Sequence, residues 1–174
     1  MELTIDKNIK LRHFRKSDLQ NYFECFKTDM GKDSFLRYFT KPEQLEKEVE
    51  SIILQYSLDK PTEETFVIEV GDEFAGFVDI EGLNSQNNPH KVNLGYGVRE
   101  KFRGQGLCTR AVVLVCNYVF EKYNLRRIEA NPRSDNFASI KVLEKAGFKL
   151  EGVLRNNLFQ NGKIYDEMMF SKIK

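Results

Sequence analysis

Apolar and polar residues alternate from Ile9 to Phe14, the period of a strand with one buried face. Ser17-Asp18 then offers a helix cap, and Leu19, Tyr22, Phe23 and Phe26 recur at helical spacing. Pro42 opens a second helical stripe of Leu45, Val49, Ile52, Ile53 and Tyr56, which ends before Pro61. Thr65–Val70 and Phe74–Ile80 read as strands around a Gly71-Asp72-Glu73 turn. After a polar loop, Asn84–Pro89, comes a strand over Lys91–Val98. Its Gly95 and Gly97 point to a bulge or to close approach by another molecule. A helix is expected over Leu107–Lys122, apolar all round at Ala111–Cys116 and therefore buried. Arg126–Asn131 is a strand, and Asn136–Ala146 is a helix stopped by Gly147. Phe148–Leu154 and Lys163–Ile173 are closing strands about an Asn161-Gly162 turn, with an irregular Asn156–Gln160.

This order, β-α-α-β-β-β-α-β-α-β-β, predicts one mixed α/β (α+β) domain over residues 1–174. It has too few βα alternations for a doubly wound parallel sheet. With 27 Lys and Arg against 26 Asp and Glu, the net charge of +1 provides no field for nucleic acid or an anionic membrane. No apolar run approaches the ~20 residues of a membrane span, and Met1–Asp6 lacks a signal-peptide layout. Cys25, Cys108 and Cys116 are odd in number and read as reduced thiols, which predicts a cytoplasmic protein. His13 and His90 are far apart and no CxxC occurs, so no metal site is expected.

The candidate chemistry begins where the Lys91–Val98 strand runs into Arg99-Glu100-Lys101-Phe102-Arg103-Gly104-Gln105-Gly106 and then a helix. A glycine turn at a helix start leaves backbone N–H groups unpaired. Arg99, Lys101 and Arg103 beside them favour an anion such as a pyrophosphate. The dinucleotide fingerprint G-x-G-x-x-G fails, because Thr109 stands where its third glycine belongs, and Gly-Lys-Ser/Thr is absent.

Arg103-Gly104-Gln105-Gly106-Leu107-Cys108 resembles the acyl-CoA signature Q/R-x-x-G-x-G/A of the GNAT superfamily of N-acetyltransferases, with Cys108 in place of Gly or Ala. Asn136–Phe148 is similar to the N-x-A-S-x-x-V-L-E-K-x-G-F helix of its RimJ/RimL-like branch. Leu94-Gly95-Tyr96, Glu151–Arg155 and Asn161–Asp166 fit that branch as well. The resemblance is specific from about residue 91 onward.

The resemblance implies a mostly antiparallel twisted sheet of about seven strands with about four helices. Two splayed central strands, Lys91–Val98 and Arg126–Asn131, would form the CoA cleft. It further implies acetyl-CoA as co-substrate, pantetheine beside Gly97 and Val98, and the pyrophosphate on Arg99 and on the amides from Arg103 through Gly104, Gln105, Gly106, Leu107 and Cys108 to Thr109. Asn136 and Ser139 would face the thioester, with Asn136 also the N-cap of its helix. The implied activity is direct acetyl transfer to a primary amine, either a protein N-terminus or a small molecule. Apart from the resemblance, the C-terminal strands or a sheet edge offer a surface for a homodimer. Leu143 occupies the place where many relatives carry a general-acid Tyr, so Ser139 is the candidate for protonating sulfur. Glu129 is the candidate base, with Asp79, Glu81 and a water relay as alternatives. Cys108 at a helix start would have a lowered pKa, yet direct transfer needs no nucleophile. Phe35, Tyr38 and Phe39, with Tyr22, Phe23 and Phe26, are candidate acceptor-pocket aromatics. The alternative to catalysis is a CoA-binding regulatory module.

Overall fold

A computed structural model describes residues 2–25, 42–160 and 162–174. Its strands are β1 (Glu2–Asp6), β2 (Ile9–His13), β3 (Glu63–Val70), β4 (Glu73–Glu81), β5 (Lys91–Val98), β6 (Arg127–Ala130), β7 (Lys149–Gln160) and β8 (Lys163–Ile173). Its α-helices are α1 (Leu19–Glu24), α2 (Pro42–Gln55), α3 (Leu107–Lys122) and α4 (Phe137–Lys145). The strands form one sheet in the order β1-β2-β3-β4-β5-β6-β8-β7, antiparallel except for the β5–β6 pair. The mixed α/β class and the four helices are as expected among the described residues. The sheet has eight strands instead of about seven.

The additional strand is β1, which pairs with β2 from Glu2↔Arg12 onward. Only Leu3 and Ile5 mark it in the sequence, and its side chains are at best half-buried. Backbone pairing rather than burial makes it a strand. β7 also runs farther than expected, to Gln160, across a register shift between Leu154 and Leu158 where Asn156 has φ 53°. The irregularity anticipated at Asn156–Gln160 thus lies inside the strand. Phe26, Phe35, Tyr38, Phe39 and Asn161 fall outside the described residues, as does the Leu45 side chain.

α3 and α4 cover one sheet face, where Ala111, Val112, Val115, Cys116 and Val119 pack on Phe66, Val78, Ile80 and Ile128 with no exposed surface. Burying each such side chain stabilises the fold by about 1.5–3 kcal/mol. α1 and α2 cover the other face with Tyr22, Cys25, Val49 and Ile52 on Val67 and Phe77. Gly95 marks a close approach by β4, and the Gly97 backbone lies close against Gly76 of the same strand. A Cβ at Gly95 would stand 2.5 Å from Asp79 Oδ2, and one at Gly76 only 2.2 Å from the Gly97 carbonyl oxygen.

Asp18 makes no side-chain cap bond to α1; its Oδ2 accepts from Arg15 N at 2.8 Å, in the 3-10 turn Lys16–Asp18 just before the helix, and also from Arg12. Arg12 Nη1 and Nη2 donate to Asp18 Oδ2 and Oδ1 at 2.7 and 2.9 Å, and Nε donates to Glu69 Oε2 at 2.5 Å. All three residues are buried, and Lys10 Nζ adds a second, more exposed cation 3.8 Å from Glu69 Oε1. Arg12→Ala leaves Asp18 without its cation and Glu69 with Lys10 alone. It is expected to cost about 3–5 kcal/mol of unfolding free energy, measured by urea titration.

Candidate functional site

β5 and β6 pair only through Lys91↔Arg127, Val92↔Ile128 and Asn93↔Glu129. Beyond Ala130 the chain follows β8: Met168 N donates to the Pro132 carbonyl at 2.9 Å, and Ser134 N to the Asp166 carbonyl at 2.9 Å. β5 meanwhile stays with β4 through Val98. The strands therefore separate after Asn93 and open a cavity of about 540 Å³. Arg99 N donates to the Ala75 carbonyl of β4. Antiparallel alternation then gives the Gly97 amide to β4 and turns those of Tyr96 and Val98 toward the gap.

One end of the cavity is the basic turn. Gly104 and Gly106 have φ of +77° and +68°, conformations that L side chains rarely adopt. A Cβ at either would meet nothing within 4 Å, so the space over the turn is open. Gly106 is the N-cap of α3 and has no side-chain cap hydrogen bond. Leu107, Cys108 and Thr109 thus present their amides to a ligand at the positive end of a sixteen-residue helix. Arg103, Lys141 and Lys145 line the same cavity. An uncapped helix start, an open glycine turn and nearby cations fit a pyrophosphate.

At the other end are α4 and the strands. Asn136 caps α4 by accepting from Ser139 N at 3.1 Å. Tyr96 reaches across the gap: its hydroxyl donates to the Ser139 carbonyl at 3.1 Å and lies 2.7 Å from Ser139 Oγ. Burial raises the Tyr96 pKa, so this phenol keeps its proton. Asp79 and Glu81 on β4 form the cavity wall beside Gly95 and Asn93. Asp79 Oδ1 is buried and has no hydrogen-bond partner. Burial, then the charges of Glu81 and Glu63, push the Asp79 carboxyl up to about 8.

Comparison with known proteins agrees with this geometry. The family model described as an acetyltransferase (GNAT) domain matches residues 8–149. The chain belongs to the GNAT acetyltransferase family. It is 41% identical to the probable N-acetyltransferase YjcK of Bacillus subtilis over 78 residues, 45% of this chain and 43% of YjcK, so the match spans less than half of that relative. It is 27% identical to the spermidine N(1)-acetyltransferase of Escherichia coli K12 over 157 residues, 90% of this chain and 81% of that one. A structure of the ribosomal-protein α-N-acetyltransferase RimL in complex with coenzyme A superposes with TM-score 0.87 at 22% identity, covering 99% of this chain and 98% of RimL.

In this GNAT chain, the expected residues Gly97, Val98, Arg103, Gly104, Gly106, Leu107, Cys108, Thr109, Asn136 and Ser139 line one cavity. Arg99 and Gln105 do not. Arg99 Nη1 instead donates to Asn21 Oδ1 of α1 at 3.5 Å, and Gln105 Nε2 to the Lys101 carbonyl at 3.4 Å. Lys101 pairs with Glu73.

Glu129 is corrected as the base. It lies outside the cavity wall, accepting from Lys91 Nζ at 3.0 Å and Arg127 Nε at 2.6 Å. Although burial opposes it, this pairing holds its carboxyl below the usual range. Such a carboxylate is a poor proton acceptor near neutrality. Cys108 is corrected in the opposite sense. Burial outweighs the helix end and pushes its thiol up to about 12. Leu143, at the place of the missing Tyr, is a core residue without exposed surface. Sequence reasoning overlooked Tyr96 as a site residue, and also the cavity cations Lys141 and Lys145. The available signal for Tyr96 was a Tyr between two strand glycines next to the cradle.

Gly106→Val strains the turn and fills the open cradle. It is expected to weaken coenzyme A binding by roughly tenfold or more in calorimetric titration, about 1.4 kcal/mol, with the far-UV spectrum unchanged.

Proposed function

We propose that this protein transfers the acetyl group of acetyl-CoA directly to a primary amine. The observation that carries the reading is one continuous cavity with a pyrophosphate cradle at one end and, at the other, the Asp79 carboxyl with one buried oxygen that has no hydrogen-bond partner. Acetyl-CoA supplies the activated acetyl group. Gly104, Gly106 and the amides of Leu107–Thr109 hold its pyrophosphate, with Arg103, Lys141 and Lys145 contributing charge.

The amine nitrogen attacks the thioester carbonyl and forms the N–C bond. Asp79 takes the proton that nitrogen sheds. The Val98 N–H, facing the gap, donates to the developing oxyanion. As the C–S bond breaks, sulfur takes a proton from Ser139, which Tyr96 replenishes across their 2.7 Å contact. β5 thus supplies the phenol that α4 lacks. Proton exchange with solvent returns Asp79 and the Ser139–Tyr96 pair to their starting states. The acetylated amine and the CoA thiol leave, and the proton that Asp79 gives to solvent balances the one that the Ser139–Tyr96 pair takes back.

Acetyl-CoA is expected to raise the Tm, and thiol release is expected with an accepting amine. Absence of stabilisation at millimolar acetyl-CoA would sink the reading. Stabilisation with no turnover across a broad amine panel would leave CoA binding alone. Ser139→Ala and Tyr96→Phe are each expected to lower kcat by about 10²-fold, with the Kd for CoA within a few-fold of wild type.

The pH dependence follows from Asp79, faced by Glu81 on its own strand, Glu63 on β3, Glu48 on α2 and Tyr22 on α1. Its carboxyl is neutral below about 8 and ionised above, so kcat/KM for the amine rises through pH about 8. In Asp79→Asn that limb disappears, and only the titration of the amine remains. The folded-state pKa is raised, so the unfolded chain ionises first as pH rises from about 4 toward about 8, and stability falls over that window. Asp79→Asn should therefore raise the Tm by several degrees at pH about 9 and by much less at pH about 5, as read by calorimetry.

A further inference from the structure

Asp79 is not alone at its end of the cavity. Glu81 lies two residues along β4 on the same face and also lines the wall. Glu63 on β3 is directly opposite Glu81 in the strand register. Glu48 on α2 lies close enough to repel both Glu63 and Glu81. Glu48 and Glu63 are half-buried, and burial with mutual repulsion raises the pKa of each.

Among the described residues, no Lys, Arg or His forms an ion pair with any of these four carboxyls. Glu64, Asp18, Glu69 and Glu129 are treated differently. Glu64 is met by His13, Lys122, Tyr118 and Tyr123. Asp18 and Glu69 share Arg12, and Glu129 has Lys91 and Arg127. Repelling carboxyls beside a cavity, one with a buried oxygen that bonds to nothing, are complementary to a cation that no described residue supplies.

One ammonium does not satisfy this wall, because the attacking amine must be neutral when it reacts beside Asp79. Glu81 on the cavity wall, with Glu63 opposite it on β3 and Glu48 near both, then still presents negative charge beside the acceptor. Resting on the amine-acetylation reading above, we propose that the acceptor is a small primary amine bearing a second cationic centre, which Glu63, Glu81 and Glu48 hold while Asp79 deprotonates the reacting nitrogen. The same arrangement opposes a protein N-terminus followed by neutral or acidic residues, which offers no second cation.

The test compares straight-chain diamines of increasing length with the monoamine of equal length, together with a peptide having a seryl N-terminus and neutral side chains, all at saturating acetyl-CoA. At least one diamine is expected to exceed its monoamine and the peptide by about tenfold or more in kcat/KM, the effect of about 1.4 kcal/mol. That advantage should shrink as salt is raised. Glu63→Gln with Glu81→Gln should bring the diamine-to-monoamine ratio close to one, and an acetyl-CoA-induced rise in Tm verifies that the variant is folded. Equal kcat/KM for diamines and monoamines, a preferred peptide, an advantage insensitive to salt, or a ratio unchanged in the folded variant would each overturn the proposal. Those outcomes leave amine acetylation standing, whereas no turnover with any amine, mono or di, counts against acetylation itself.

Discussion

Everything at the site depends on the separation of β5 from β6. β6 has only four residues, and after it Pro132 and Ser134 bond to β8 rather than to β5. β5 is held on its other edge by β4 as far as Val98. The sheet therefore opens at Asn93, and the gap brings an unpaired stretch of β5 edge between the first turns of α3 and α4. Unpaired edge amides normally invite another strand. Here Tyr96 spans the opening to Ser139 and ties the two halves together on the line where a thioester would lie.

The cavity is also polarised, which the net charge of +1 conceals. At one end are Arg103, Lys141, Lys145 and the start of α3, and at the other are Asp79 and Glu81. On the proposed reading, an anionic donor and a cationic acceptor would be sorted to opposite ends, with the reacting carbonyl between them. Such sorting sets orientation before any catalytic group acts, and orientation is a large share of what acyl transfer needs.

How far the site was legible follows the range of the interactions that make it. The cradle is local: a helix start, two glycines with positive φ and the Asn136 cap are each complete within a few residues, and the sequence shows them. Glu129 and Asp79 look alike in sequence, both being acidic residues on strands near the cleft. They differ through partners that only the sheet supplies. Lys91 of β5 neutralises Glu129 from the neighbouring strand, whereas Asp79 lies over Gly95 and receives no cation from the described residues. Arg99 and Lys101 likewise belong to the basic turn in sequence and to Asn21 and Glu73 in space. β1 and the far end of β7 were missed because pairing, rather than apolar periodicity, makes them strands.

The glycine at 95 connects stability to the chemistry. Any Cβ there would displace the Asp79 carboxyl, so the residue that weakens β5 is the one that lets an acid be buried against it. An unpaired buried carboxyl opposes folding, and the protein offsets it elsewhere, in the α3 core and around Arg12. The contrast with Glu64 and Glu129, both fully partnered, shows that this fold can supply cations to its inward carboxylates. Without a cation from the described residues, the Asp79 carboxyl is pushed up to about 8, where it can accept a proton from an amine and give it up again within one turnover.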